Sequence, residues 1–368
     1  MKVSFPAMRG TMGNRHYYSC MMKLNVIPKM FTFRDWAELT PEQREQRVLN
    51  GNRIPQISRY ITDNEDGWLF SSICASYKCE ASFKAASPLI DDIGILEMDF
   101  DQAEFIINDG QHRCAAIATA LKENSSLGEE SISVLLFPYE NLARVQQMFS
   151  DLNRFVAKTS RSLDILYDKR DPLSRVMLEV CDQVPVFHDL VDKDAVSLPA
   201  RSPKLFTLTA LYDATKELLG NPKDDDVYHG EAVKRVGDYW TAVAEFIPDW
   251  GKVKDGWLRA IDLRQEKISA HSVVLRAIGA IGHELIEDSP SHWKDALAEL
   301  ANVNWRKDNP DWENVCIIAN SVVSNRQARV ATRAYLKRRL GVTLSDVERR
   351  ALDGPVTEPV GTLFGGQA

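Results

Sequence analysis

The sequence predicts an α/β (α+β) layer followed by a mostly helical domain. Two observations carry the prediction. Between about residues 104 and 152, short apolar runs alternate with helix-period segments, and beyond about residue 204 the strand signals fade into successive amphipathic stretches. A chain of 368 residues is long for one domain. The expected division is 1–200 and 201–352, with a mobile tail over 353–368.

In chain order, LTPEQREQRVL (39–49) opens a helix with Thr40 as N-cap, Pro41 at the first helical position and Gln43 completing a capping box. It carries Arg44 and Arg47, and GNRIPQISRYI follows with Arg53 and the breaker Pro55. WLFSSICASY (68–77) has the alternating bulk of a strand. EFIIND is a strand leading into a helix from about 113 to 123, where Cys114, Ile117, Ala118 and Leu121 form a buried stripe. SISVLLF (131–137) is the next strand and NLARVQQMFSDL (141–152) the next helix.

Further along, DPLSRVMLEVCDQV (171–184) has Asp171 as N-cap and Pro172 behind it. KLFTLTALYDATKELLG, EAVKRVGDYWTAVAEFI, SAHSVVLRAIGAIGHELI, HWKDALAELANV and NVCIIANSVVSNRQARVATRAYLKRRLG all have helical periodicity, with Gly220 and Gly341 as C-terminal stops. Trp305 and Trp312 are expected in the core, and His271 and His283 lack metal-ligand spacing.

With 44% hydrophobic and 26% charged residues the chain can bury a large core. A formal charge of −7 argues against non-specific coating of nucleic acid but allows a local basic face. No apolar run approaches the roughly 20 residues of a membrane span, and the first residues lack a signal-peptide core. A cytoplasmic protein without a membrane partner is expected. The six scattered cysteines fit reduced thiols in a reducing compartment.

The junction Asp109-Gly110-Gln111-His112-Arg113 places polar residues where a strand becomes a helix. A helix N-terminus has unpaired N–H groups and a positive dipole end, so anions settle there. Gly110 lets a phosphate approach, Arg113 offers a planar fork and His112 a further donor. Asp109 can orient the arginine, hold a metal-bound water or take a ribose hydroxyl. Alternatively, Asp109 is an N-cap, Gly110 only turns the chain, and His112 and Arg113 face water. No Walker A loop is present.

The pentapeptide resembles the signature of DGQHR-domain proteins and, more distantly, the phosphate-binding turn of the ParB and sulfiredoxin superfamily. Together with REQRVLNGNRIPQISRYI (44–61), MFSDLNRFVAKTSRSLDILYDKRDPLSR (148–175) and SAHSVVLRAIG (269–279), it resembles the DndB family of DNA sulfur modification proteins, from about residue 15 to 345. This resemblance implies a bacterial protein encoded beside the enzymes that replace a phosphate oxygen of DNA with sulfur, regulating that cluster through DNA binding. It further implies a ParB/sulfiredoxin-like α/β N-terminal domain with a nucleotide pocket built from Gly110, His112 and Arg113. Gln111 stands where sulfiredoxins carry their reactive cysteine, and Cys114 lies on the apolar stripe.

A second polar cluster, SDLNRFVAKTSRSLD, can complete a phosphate site. Asn153 would orient a ligand or water, Arg154 and Arg161 would neutralise phosphates, and Asp151 or Asp109 would carry magnesium. Alternatively this is a polar loop in which Thr159 or Ser160 caps the next helix. Finally, NRQARVATRAYLKRR (325–339) has six basic residues and no acidic one. Arg326, Arg329, Arg333 and Lys337 fall on one helical face suited to a DNA backbone, or to water. LKRRLGVTLSDVERRAL (336–352) has the outline of a helix-turn-helix, weakened by Lys337 at a small buried position and by Asp346 and Glu348 on the second helix.

The expected function is a DNA-binding regulator of transcriptional-repressor type with a nucleotide or phosphate pocket at the DGQHR turn. Its DNA contacts would include Arg44, Arg47 and Arg53 as well as the C-terminal arginines. The alternative is an enzyme that hydrolyses ATP with Mg and nicks DNA, using Asp109 and Asp151. Expected partners are double-stranded DNA, other proteins of the phosphorothioation system and further copies of the chain.

Overall fold

The computed structural model describes residues 2–31, 53–154, 159–222 and 229–353. The chain divides into two compact units, residues 1–157 and 158–368. The first is built on a seven-stranded mixed sheet. Its strands are β1 (Lys2–Met12), β2 (Arg15–Lys23), β3 (Ile73–Lys78), β4 (Ala81–Ser87), β5 (Ile90–Asp99), β6 (Glu104–Asp109) and β7 (Ser131–Pro138), in the spatial order β4-β5-β1-β2-β7-β3-β6. β3 runs parallel to β7, and the other pairings are antiparallel. Gly13 and Asn14, with φ of 56° and 61°, make the two-residue turn between β1 and β2.

Three helices position the candidate site: α1 (Ile54–Thr62), α2 (Gln111–Glu123) and α3 (Leu142–Arg154). On one face of the sheet, Cys114, Ile117 and Ala120 of α2 and Ile61 of α1 are buried with Cys20, Ile73, Val134 and Leu136. On the other face, Met148 of α3 covers Cys74 and Phe137. Elsewhere on that second face Met8, Met21, Ile93 and Ile95 remain exposed. Exposed apolar residues beside buried ones blur the period-2 signal, so the sequence pattern marks neither the β1–β2 hairpin nor β4 and β5.

The second unit is helical. Its main helices are α4 (Arg161–Tyr167), α5 (Pro172–Gln183), α6 (Leu208–Leu218), α7 (His229–Phe246), α8 (Ala260–Glu266), α9 (Ser272–Asp288), α10 (Arg326–Arg339) and α11 (Asp346–Asp353). Asp171 caps α5 as expected, accepting from Leu173 N at 3.0 Å, and Ser160 caps α4. Val176 and Met177 of α5, Leu211 of α6, Trp240 of α7 and Ile278 of α9 share one core. Two large polar aromatics within it find hydrogen-bond partners. Tyr239 donates to Ile278 O at 2.6 Å and Trp240 Nε1 to Thr215 Oγ1 at 3.1 Å.

The boundary between the units falls at 157/158 rather than near 200. The apolar stripes of α4 and α5 belong to the helical core, so these helices are the start of the second unit. The helix expected from residue 314 begins only at Arg326, because Ile317–Ile318 and Ser321–Val322 pair as short strands around Ala319 and Asn320 at φ of 47° and 65°. Asn325 then caps α10, accepting from Ala328 N at 2.8 Å. Trp305 and Trp312 are buried and stacked, as expected. The helix expected over 39–49, with Arg44 and Arg47, lies outside the described residues.

Candidate functional site

The chain passes from β6 into α2 through a single residue. Gly110 has φ of 102°, a conformation L residues rarely adopt, and a Cβ there would lie 3.2 Å from Ile73 Cγ1 and 3.3 Å from Arg113 Nη2. The first helical bond runs from Cys114 N to Gly110 O at 2.9 Å. No side chain caps α2 and its first turn carries no acidic residue.

Arg113 turns inward. Its Nη2 donates to Asp109 Oδ2 at 2.6 Å, and its Nη1 donates to Ser71 O at 2.5 Å, to Ser72 O at 3.1 Å and to the Ser71 hydroxyl. Only 15% of the Arg113 side chain is exposed. The fork that the sequence reading offered to a phosphate therefore ties the entry of β3 to the end of β6. Asp109 takes the first of its alternative roles, orienting the arginine, and Ser71 and Ser72 are the partners that the sequence did not indicate. Behind the turn, fully buried Asn108 donates to Ser76 Oγ at 3.0 Å and lies 4.0 Å from Met148 Sδ.

His112 and Arg53, read from the sequence as parts of two different sites, come close together. Arg53 opens α1, which packs on α2, and burial together with the Arg53 guanidinium holds the His112 imidazole below its ordinary value. Arg53 thus supplies positive charge beside the turn, while His112 is held toward its neutral form. Asp151, Asn153 and Arg154 are exposed on the last turn of α3. Asp151 accepts from Gln147 at 2.7 Å and Asn153 donates to Phe149 O at 2.8 Å, bonds made within their own helix. Cys114 is fully buried, and burial pushes its thiol up to about 12, which makes it core rather than nucleophile.

In the second unit the basic stripe of α10 separates into two parts. Lys337 is buried, with Nζ 2.7 Å from Glu284 and 2.9 Å from Glu348, so it leaves the DNA-contact face that the periodicity assigned to it. Glu348 likewise turns away from solvent, and Arg333 Nε lies 2.7 Å from its other oxygen. The α10–α11 pair is therefore held together by ion pairs across its helices, with Gly341 at φ of 71° in the turn.

Arg326, Arg329 and Arg333 line a cleft of about 330 Å³ together with Arg276 and Glu217. Arg276 reaches it from α9 while bonding Asp213 at 2.8 Å and Glu217 at 2.7 Å, and Asp213 also holds Arg161 at 2.6 Å. Arg161 is thus an ion-pair partner within this unit. Neither Arg326 nor Arg329 has a carboxylate partner among the described residues. Close packing of α9 on α6 makes the cleft. A Cβ on Gly279 would lie 2.1 Å from Ala214 O, so only glycine lets the helices approach this far. Arg276 has no signal in the sequence beyond its place in SAHSVVLRAIG, since the partners that orient it are about 60 positions away.

Among the described residues, no group of three or more His, Cys, Asp or Glu side chains is arranged to hold a metal ion, and no helix is long and apolar enough to cross a membrane. The fold and sites define a two-unit protein, sheet-based and then helical, with its exposed chemistry in arginines and a glycine turn. The family model for DndB, described as DNA-sulfur modification-associated, matches residues 5–343, and the chain belongs to that family. It accordingly has a role in the DNA phosphorothioation system. No curated protein and no solved structure matches the chain. Its likeness to ParB and sulfiredoxin rests on the pentapeptide.

Proposed function

We propose that the protein is a DNA-binding regulator, of repressor type, for a bacterial DNA phosphorothioation cluster. The observation that supports this most directly is the α10 cleft, where Arg326 and Arg329, without carboxylate partners among the described residues, stand beside the ion-paired Arg276 and Arg333 in a chain that is acidic overall. Arginines without carboxylate partners at a surface release counterions when a nucleic-acid backbone replaces solvent, and this release drives association. The DGQHR turn is the place for a nucleotide or DNA phosphate, with Arg53 as its cation and the neutral His112 imidazole as a hydrogen-bonding group beside it. Asp109 then acts by holding Arg113.

The test is titration of the full chain with promoter duplex over a salt series, without and with ATP and Mg. Arg326→Ala combined with Arg329→Ala should weaken binding and reduce the slope of log K against log salt by about two. An unchanged slope would remove the cleft from the DNA interface. Steady phosphate release from ATP that disappears in Asp109→Ala would favour the ATP-hydrolysing, DNA-nicking enzyme instead.

A further inference from the structure

The second unit contains another cleft, of about 330 Å³, at the N-terminal end of α9, and among the described residues no carboxylate lines it. One wall is apolar, with Leu198, Leu205 and Ile261. The lining also holds Arg264, His271 and Lys307, with Ser272 in the first turn of α9.

The three basic groups converge on one small volume. Arg264 extends from α8, and its guanidinium donates to Ser202 O at 2.8 Å and to Pro199 O and Ala200 O, each at 3.3 Å. Lys307 Nζ donates to Arg264 O at 2.8 Å, and His271 Nε2 lies 3.4 Å from the same oxygen. These neutral carbonyls orient the two cations, Arg264 and Lys307, but cannot neutralise them. Among the described residues none of the three forms an ion pair, whereas charges withdrawn from water are ordinarily paired.

Burial lowers the Arg264 guanidinium, and burial with Arg264 lowers Lys307. Burial, helped by Lys307, takes His271 down to about 4. No carboxylate opposes any of these effects. The N-terminus of α9, a helix of 17 residues without a side-chain cap, adds its dipole to the same place. The helical unit has built a positive, partly dehydrated concavity, and the described residues supply no counter-charge for it.

We propose that this cleft binds a small phosphate ester of mononucleotide size, its phosphate against Arg264, Lys307 and the N-terminus of α9, and its flat body on the Leu198–Leu205–Ile261 wall. The volume is at the small end of the roughly 300–1,000 Å³ typical of ligand pockets, which suits one such molecule and excludes a duplex. The site shares no lining residue with the α10 cleft, and it makes the helical unit a receptor for a soluble anion as well as for DNA.

The experiment is calorimetric titration of the full chain with AMP, with adenosine as the uncharged control. AMP should bind and adenosine should not. Lys307→Gln should weaken AMP binding about tenfold, the loss of one charge-assisted hydrogen bond. Arg326→Ala with Arg329→Ala should leave it unchanged, which separates this site from the DNA-binding reading. Absence of AMP binding, equal binding of adenosine, or retention in Lys307→Gln with loss in the double arginine variant would each overturn the proposal. Acetic anhydride labelling of the unsubstituted protein supplies a test that does not depend on folding of a variant. AMP should slow acetylation of Lys307 several-fold, and an unprotected Lys307 would refute the assignment.

Discussion

Lys337 of α10 and Glu348 of α11 form an ion pair of 2.9 Å with 4% and 1% of their side chains exposed. Ser345 also donates to the same carboxylate, from its N–H and its hydroxyl, each at 2.8 Å. Such a pair contributes modestly to net stability, but removal of one member leaves an uncompensated buried charge. Lys337→Met should therefore cost about 3 kcal/mol in urea unfolding. Lys337→Met with Glu348→Leu should recover much of the loss, and a double variant no better than the single one would contradict the pairing.

The same carboxylate gives a pH dependence of known sign. Burial pushes Glu348 up, but the Ser345 backbone N–H, Lys337, the Ser345 hydroxyl and Arg333 outweigh it and hold the group at about 2, against an ordinary 4.5. A depressed carboxylate contributes stability that is complete above its unfolded value and is lost as pH falls toward its folded value. The helical unit should lose stability between about pH 4.5 and about pH 2. Glu348→Gln should flatten that part of the thermal-unfolding profile.

Arg113 fixes the glycine turn by its fork, so its substitution should be felt as instability before it is felt as lost binding. Arg113→Ala removes hydrogen bonds to Asp109, Ser71 and Ser72 and should cost about 3 kcal/mol. Arg113→Lys should not restore them, because an ammonium cannot reproduce the planar geometry. Identical urea midpoints for the three proteins would show that the clamp is dispensable.

Gly110→Ala places a Cβ beside Ile73 and Arg113 at a φ of 102°. The strained backbone should cost about 1–2 kcal/mol. Hydrogen exchange should report the loss at the first turn of α2, ahead of the sheet.

Five of the six cysteines are buried, and burial raises Cys20, Cys114, Cys181 and Cys316 to about 12 and Cys74 to about 11. Cys79 alone is half-buried. Iodoacetamide at pH 8 should modify Cys79 first in the folded protein, and rapid labelling of Cys114 would contradict the packing of α2.

What could be read from the sequence was governed by how local its cause was. Asp171 capping α5 and Gly341 ending α10 act within a turn of helix, and both are visible as residue types at fixed offsets. The glycine turn was legible for the same reason, and the pentapeptide marks its place correctly. The direction of Arg113 was not, because Ser71 and Ser72 lie about 40 positions earlier and offer backbone carbonyls, which carry no residue signature. Helical spacing put Lys337 in line with Arg333, but that spacing is blind to a neighbouring helix that presents Glu348. Arg264 and Lys307 failed to stand out because they lie 43 positions apart in segments with no basic run, and only folding brings the Lys307 ammonium to the Arg264 carbonyl.

The central position of β1 and β2 has a consequence for how the first unit forms. β2 lies against β7 with Met22 opposite Ile132, and β1 lies against β5 with Phe5 opposite Leu96. The two strands nearest the amino end are thus flanked by partners about a hundred positions later, so during synthesis the hairpin must wait, half-paired, until β5 and β7 emerge. Closure over such separations is slow and leaves strand edges open in the interval. The sheet that carries the DGQHR turn cannot close before β7 emerges, and slowing translation between residues 23 and 131 should lengthen the window in which nascent chains aggregate.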